Sequence, residues 1–461
     1  MNYYDAVEEI INIPRFNNTP DGTNKSGKEN LLRVLSKLGN PHLRLRAVHI
    51  AGTNGKGSTC QFVKNILNRL NYSVGVFTSP HLTKINQRIE MSYGCEMHKN
   101  GHYISDEDFL ECYMRVRSAI TENQSEGGMG LSFFEIVFTI AALYYSEKEP
   151  DYVIYETGLG GRLDATNVVV PEITAITSVG LDHMEYLGNT IELIAGEKAG
   201  IIKLGVPVVY NTGEALADRV IEEQAGLMDA RAINVAKTDY IINELTDKTI
   251  DFSIYNSYYR YNNLIVPAGG ALYQVDNAMT AIAVCNNLIH DGHTIPEECI
   301  KEALIHFSWE GRMERIHPNI ILDGAHNLDA VMRFTQGVRA LCGNKGICLL
   351  FAVAGDKDYR PMIKHICREL RLKRVFVTSL NSKRGISAEY IADIFKTYIN
   401  EPDCSEGSIS SKGLVISNDD TAAAFRAAYN TVKNTDDILF CVGSLYLVGD
   451  IKRAAEEELY D

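Results

Sequence analysis

The residues with the plainest chemistry are Gly52-Thr53-Asn54-Gly55-Lys56-Gly57-Ser58-Thr59, which follow the apolar run AVHIA at 47–51 and precede a helical pattern from about 58 to 70. Strand, glycine loop and helix in that order make an anion cradle. Glycines let backbone N–H groups converge on phosphate oxygens, the helix N-terminus adds partial positive charge, and Lys56 can reach the terminal phosphates. Ser58 or Thr59 then supplies a hydroxyl for a magnesium ion. Only Thr53 and Asn54 separate the first glycine from the Gly-Lys pair, so the loop is a shortened form of the usual phosphate loop. Glycines alone could mean a tight turn; with the lysine and hydroxyls beside them they predict ATP.

Three more segments end in oxygen or nitrogen donors where a strand pattern stops, which is where open α/β sheets bind ligands. Ser79 follows VGVFT, Glu156 follows DYVIY, and Asp182-His183 follow ITAITSVG. Magnesium on ATP needs only one or two protein ligands. Singly these residues read as caps or turn residues; together, behind a phosphate loop, they favour ligation. Lys198 falls inside the apolar stripe Ile191, Ile194, Ala195, Ile201 and Ile202. The helix is predicted over 189–204, with Asn189 as N-cap, Glu192 three residues on, Gly205 at the stop and Pro207 beyond. Such a lysine either snorkels out or pairs with a carboxylate, or else it serves the nucleotide and metal.

The elements that must position these groups alternate β-rich runs (AVHIA, SVGVFT, DYVIYE, ITAITS) with helical periods. This predicts an α/β fold with a mostly parallel sheet. From about 239 to 275 the texture becomes Tyr- and Ile-rich alternation, which predicts an antiparallel patch. Alternation resumes in NIILD, GICLLFAV, RVFVTS and ILFCVGS. A smaller Rossmann-like α/β domain is therefore expected after a boundary near 307–309, giving units 1–307 and 308–461. Residues 17–29 and 122–130 read as loops.

Composition bounds the class. The chain has 461 residues, 45% hydrophobic and 23% charged, with a formal net charge of −14. It can bury a real core, and its field repels nucleic acid and anionic membrane, so a phosphate or carboxylate ligand needs a local site. No signal peptide or spanning segment is expected, since the longest nearly apolar run, 133–145, is short and holds Glu135. The ten cysteines form no CxxC pair and read as reduced thiols of a cytoplasmic protein.

With HIAGTNGKGST, FTSPHL, FFEIVFTIAAL, ETGLGGRLDATN, SVGLDHMEYLG, IAGEKAGIIK, WEGRMERI, ILDGAHN and GSLYLVGD in that order, the chain resembles the folylpolyglutamate synthases of the Mur ligase superfamily, in particular the bacterial bifunctional dihydrofolate synthase type. The resemblance implies ATP-dependent joining of L-glutamate to dihydropteroate and to tetrahydrofolate through an acyl phosphate, by a monomer. It implies one magnesium ion near Ser79 and Glu156, a second helped by His183, and a carbamylated Lys198. It also sets Gln274 and Asn277 near the nucleotide, with Arg312, Asp323 and His326 reaching ATP from the C-terminal domain. Arg312 suits a phosphate clamp because its guanidinium bridges oxygens in a fixed fork; read alone, it could pair with Glu310 or Glu314. Asp323 and His326, read alone, could be a helix N-cap pair. Pro80, His81 and Arg88, together with Arg162, Asp164 and Ala165, resemble the folate pocket. His102 and the stretch YGCEMHKNGHY carry no assignment. The alternatives are polyglutamylation only, a Mur-type ligase with another acceptor, against which the short stretch before Gly52 argues, and a P-loop switch, against which the lack of an NKxD element argues.

Overall fold

The computed structural model of the chain describes residues 1–13, 25–94, 102–235, 240–255, 259–267, 269, 271–289, 294–343, 345–381, 384–401 and 415–459. The first sheet holds β1 (Ala47–Ala51), β2 (Val74–Phe77), β3 (Ile89–Ser92), β4 (His102–Tyr103), β5 (Tyr152–Glu156), β6 (Pro171–Ile176), β7 (Val208–Tyr210) and β8 (Ala232–Asn234). Their order is β4-β3-β2-β5-β1-β6-β7-β8. It is parallel from β2 to β8, with β3 and β4 joined antiparallel at one edge.

Every residue of β1 is buried, as a strand covered on both faces requires. Val48 and Ile50 pack with the helices Lys56–Arg69 and Tyr273–Leu288, while Ala47, Val153 and Tyr155 pack with the helix Phe133–Lys148. Glu135, the one charge in that apolar run, is a cap: its Oε2 accepts from the amide and hydroxyl of Ser132, each at 2.7 Å. The helix therefore begins at Phe133 without leaving its carboxylate unpaired.

The Tyr-rich segment forms a three-stranded antiparallel sheet, β9 (Tyr240–Leu245), β10 (Ile250–Tyr255) and β11 (Arg260–Val266). The third sheet holds β12 (Glu314–His317), β13 (Ile320–Asp323), β14 (Ile347–Phe351), β15 (Leu372–Val377), β16 (Val415–Ser417) and β17 (Ile438–Val442). Its order is β12-β13-β17-β14-β15-β16, parallel except for β12. Among the described residues no helix is long and apolar enough to cross a membrane.

Several local expectations are corrected. The helix carrying Lys198 spans Ile191–Ala199, with Thr190 as N-cap, its hydroxyl accepting from the Leu193 amide at 3.3 Å. Thr190 displaces Asn189 because its extended backbone aims the side chain at the first turn. The helix stops at Gly200, five residues before Gly205. Residues 122–125 close the helix Asp106–Ser125 rather than belonging to a loop, and 25–29 open the helix Lys25–Lys37. Residues 17–24 and 95–101 of the unassigned stretches lie outside the described residues; His102 sits in β4.

Candidate active site

The phosphate loop runs from the end of β1 into the helix Lys56–Arg69, and the segment after β6 holds it. The Thr53 amide donates to Ser178 O at 2.7 Å, and the Thr53 hydroxyl and the Gly180 backbone contact each other at 3.1 Å. Lys56 Nζ donates to the carbonyls of Gly52 (3.0 Å) and Thr53 (3.2 Å), so it curls over its own loop. Gly55 has φ +88°, and a Cβ there would collide with the Asn277 amide. Asn277 in turn donates to Gln274, whose amide reaches Ser58 Oγ at 3.2 Å. Gln274 and Asn277 thus brace the loop from behind, and neither lines the cleft. Thr59 Oγ1 is buried without a hydrogen-bond partner among the described residues. Trp309 lies against Gly57.

Side chains from the ends of neighbouring strands converge beside this loop. Glu156, at the end of β5, is 4% exposed and accepts the Ser79 amide at 2.9 Å. Burial raises its pKa, against the pull of Lys56, the Ser79 amide, Arg312 and Arg88. His183 has φ +51°, and its Nε2 lies 3.2 Å from Lys357 Nζ. Burial lowers its pKa. Lys198 is 3% exposed, which excludes snorkelling, and burial together with the Lys56 charge lowers its pKa to about 7.

The other wall comes from the third sheet. Arg312 faces the cleft while Glu310 and Glu314 are both taken by Lys452, at 2.6 and 2.8 Å, which removes the surface-pair reading. Asp323 lies behind it, accepting from the amides of Met313 (2.9 Å) and Ala325 (2.8 Å) and from the Tyr273 hydroxyl (3.2 Å). His326 Nδ1 donates to Gly324 O at 2.7 Å, since a carbonyl can only accept. This leaves Nε2 as the lone-pair nitrogen facing the cleft, and burial holds its pKa at about 4. The N-cap of the next helix is Asn327, not Asp323 or His326; its Oδ1 accepts from Ala330 at 2.9 Å.

Of the folate-pocket residues, Pro80, Arg88, Asp164 and Ala165 line the cleft. His81 accepts from Arg88 Nε at 2.9 Å, and the Arg88 guanidinium lies 5.3 Å over the Phe133 ring. Arg162 does not line the cleft: it is exposed and binds Gly196 O (2.9 Å) and Glu197 (3.2 Å).

The cleft between the sheets is about 510 Å³, within the usual range for small-molecule sites of about 300–1,000 Å³. Asp182, at its centre, takes Lys357 Nζ at 2.7 Å and Asn327 Nδ2 at 3.0 Å. Burial alone would raise its pKa, but His326, Lys357 and His183 hold it well below the usual carboxylate range. Asn54 of the phosphate loop meets Asn327 at 3.1 Å and Asp329 at 2.9 Å, so the loop itself touches the second wall. Lys357, Arg384, Ser444 and Tyr446, which also line the cleft, carried no reading in the sequence. The signal was there: they follow β14, β15 and β17, at the same C-terminal strand edge that singled out Ser79 and Glu156.

For magnesium the donor set is suitable. Glu156 is a buried carboxylate facing the cleft with Oε2 engaged by an amide, and Ser79 offers a hydroxyl. Among the described residues no group of three or more His, Cys, Asp or Glu side chains gathers into a metal cage.

Two family models match the chain: the Mur ligase middle domain over 132–285 and the Mur ligase, glutamate ligase domain, over 311–445. A dihydrofolate synthase/folylpolyglutamate synthase from Bacillus subtilis is 35% identical over 439 residues, 93% of this chain and 95% of that protein. A folylpolyglutamate synthase from Thermotoga maritima, of known structure, is 30% identical with a TM-score of 0.78, covering 98% of this chain and 96% of that one. The Escherichia coli FolC protein in complex with DHPP and ADP is 25% identical with a TM-score of 0.80, covering 100% and 99%.

Proposed function

This chain belongs to the Mur ligase family, among the dihydrofolate synthases/folylpolyglutamate synthases, and we propose that its cleft joins L-glutamate to the carboxylate of dihydropteroate and of tetrahydrofolate. It is an ATP-dependent carboxylate-amine ligase. The observation that carries the reading of the site is that the phosphate loop, Glu156, His183 and Lys198 share one cleft with Arg312, His326 and Lys357 from the opposite sheet.

In the proposed sequence the acceptor carboxylate attacks the γ-phosphorus of ATP, the bond to the β–γ bridging oxygen breaks, and ADP leaves. The α-amino group of glutamate then attacks the acyl phosphate carbon, loses a proton, and phosphate departs as the amide forms. Two anions must meet in the first step, so most of the protein's work is positioning and charge neutralisation. Lys56 swings from its own carbonyls to the terminal phosphates, and Arg312 bridges phosphate oxygens from the other wall. Gly55 and Gly57 present amides, the amides of Thr53 and Asn54 tie the loop to Ser178, and Gln274, Asn277 and Asp323 hold the surrounding groups in place. Pro80, Arg88, Asp164 and Ala165 shape the acceptor pocket. Arg384 and Lys357, beside Ser444 and Tyr446, give the opposite wall the cations that glutamate carboxylates require.

Ser79 and Glu156 would hold one magnesium ion, and His183 with a carbamylated Lys198 a second; bound there, magnesium neutralises triphosphate charge. With its pKa near 7, the Lys198 amine is substantially neutral at physiological pH and nucleophilic toward carbon dioxide. Forming the N–C bond and losing a proton yields an anionic carbamate, which turns a buried cation into an oxygen ligand. We further propose that residues 1–307 and 308–461 are the two units that close on ATP, in a cytoplasmic monomer. Small-angle scattering unchanged by nucleotide and folate would refute the closure.

The test is phosphate release with ATP, magnesium and glutamate, offering dihydropteroate in one reaction and tetrahydrofolate in another. Turnover in both supports the bifunctional reading. Tetrahydrofolate alone reduces it to chain extension, dihydropteroate alone to dihydrofolate synthesis. Silence in both, from folded protein that binds ATP, points to another acceptor.

A further inference from the structure

Beneath the acceptor pocket, Asp164 ends a polar chain whose other members, His49 and Thr166, the mechanism does not use. His49, at the centre of β1, is completely buried, and strand register sets it beside Tyr155 of β5 and Thr174 of β6. Its Nε2 lies 2.8 Å from Thr166 Oγ1, which lies 2.6 Å from Asp164 Oδ1. The proton order along this chain follows from Asp164. Its two oxygens also accept from the amides of Gly158, Leu159 and Thr166, at 2.9, 2.9 and 3.0 Å. Those three N–H donors hold Asp164 as the ionised carboxylate against the burial that raises its pKa, and an ionised carboxylate only accepts, at the Thr166 hydroxyl as well. The Thr166 hydroxyl proton therefore points to Asp164, and the Thr166 oxygen is left to accept from His49. Nε2 carries the imidazole proton, and Nδ1 is a buried lone pair without a partner among the described residues.

This arrangement is costly, because an unpartnered buried acceptor is normally selected against. What it secures is local. Asp164 folds the turn Gly158–Ala165, and Gly158, Leu159, Leu163 and Ala165 all line the cleft. A leucine at position 49 would fill the space, but Thr166 would lose the donor that fixes its rotamer.

We propose that His49 is a positioning residue of the acceptor site: through Nε2–H it orients Thr166, and through Thr166 the Asp164 carboxylate that shapes the pocket wall. His49 itself touches no substrate. The proposal rests on the reading of this wall as the pteroate and folate pocket.

The test compares His49→Leu, His49→Gln and Thr166→Val in full-length protein by steady-state phosphate release. His49→Leu and Thr166→Val should each raise the acceptor KM by about tenfold, as expected when one buried donor is lost, with the ATP KM within about twofold of the parent. His49→Gln, which can restore an N–H donor, should recover most of the effect. A parental acceptor KM in folded His49→Leu overturns the proposal alone. So does an ATP KM rising in step with the acceptor KM, which would assign His49 to the phosphate loop three residues on. Silence of the unaltered protein with both acceptors overturns the acceptor reading and this proposal with it. Should His49→Leu not fold, 15N spectra of the parent decide. A fixed Nε2–H tautomer that does not titrate between about pH 5 and 9 supports the chain, and an Nδ1–H tautomer overturns it.

Discussion

Replacing Lys198 by Met should make the metal-free protein more stable, and by an amount that depends on pH. Lys198 is buried at the cleft wall, and burial with the neighbouring Lys56 charge takes its pKa from the ordinary 10.5 to about 7. At about 1.4 kcal/mol per pH unit, that fall sets a ceiling of ~5 kcal/mol on the destabilisation by the charged amine; relaxation around the site leaves ~2–4 kcal/mol. The native lysine has given up its proton between pH 7 and 10.5 while the unfolded one still holds it. The unfolded state then binds more protons, so stability rises with pH across that window. Below pH 7 the penalty is fully present, and above 10.5 it is gone. Methionine keeps the apolar stem without the charge. Urea unfolding in carbonate-free buffer with a chelator should therefore show Lys198→Met ahead of the parent by ~2–4 kcal/mol near pH 6, the gap shrinking as pH rises. Bicarbonate should then stabilise the parent and not the variant, because only the parent can form the carbamate. A variant less stable than the parent at pH 6, or a gap that ignores pH, would refute the reasoning.

Lys56→Ala should leave the melting temperature close to the parent's, since its bonds go only to two carbonyls of its own loop, while phosphate release falls by at least ~10³-fold; near-parental turnover removes the phosphate-loop assignment. Gly55→Ala places a side chain at φ +88° against Asn277. Calorimetry should show a loss of ~1–3 kcal/mol, with a raised ATP KM. Lys357→Met strips Asp182 of its 2.7 Å partner while Asn327 stays. Unfolding at pH 7 should show a loss of ~1–3 kcal/mol, diminishing as acid protonates Asp182; a neutral effect would mean the ion pair holds nothing. Trp309, the sole tryptophan, rests on Gly57 of the phosphate loop, so its fluorescence should change on titration with ATP, and a flat titration would refute that placement.

The parts of the site that were legible in the sequence are local ones. Gly52 to Thr59 could be read because a phosphate loop is a contiguous strand-turn-helix whose chemistry lies in its own backbone. Ser79, Glu156 and His183 could be read because a strand pattern shows where it stops. Helix ends were read less well. Asn189 and Thr190 are both competent caps, and only the extended backbone at Thr190 selects between them.

What the chain order could not express is which strand ends become neighbours. Lys357, Arg384 and Ser444 each follow a strand of the third sheet, and nothing in their own segments says that those strands face Lys56 across a cleft. Arg162 shows the converse: adjacent in sequence to Asp164, it turns outward to Gly196 and Glu197 while Asp164 turns in. The α/β class and the family were legible in the sequence, as was the expectation of a phosphate loop at 52–59, because periodicity, glycine placement and contiguous motifs are properties of short stretches. The tertiary structure alone decided the second wall of the cleft, the depressed pKa of Lys198 and the contacts that link His49 through Thr166 to Asp164. Those depend on burial and on distances between residues far apart in the chain, and electrostatic energies are set by the surroundings of a charge rather than by its neighbours in sequence.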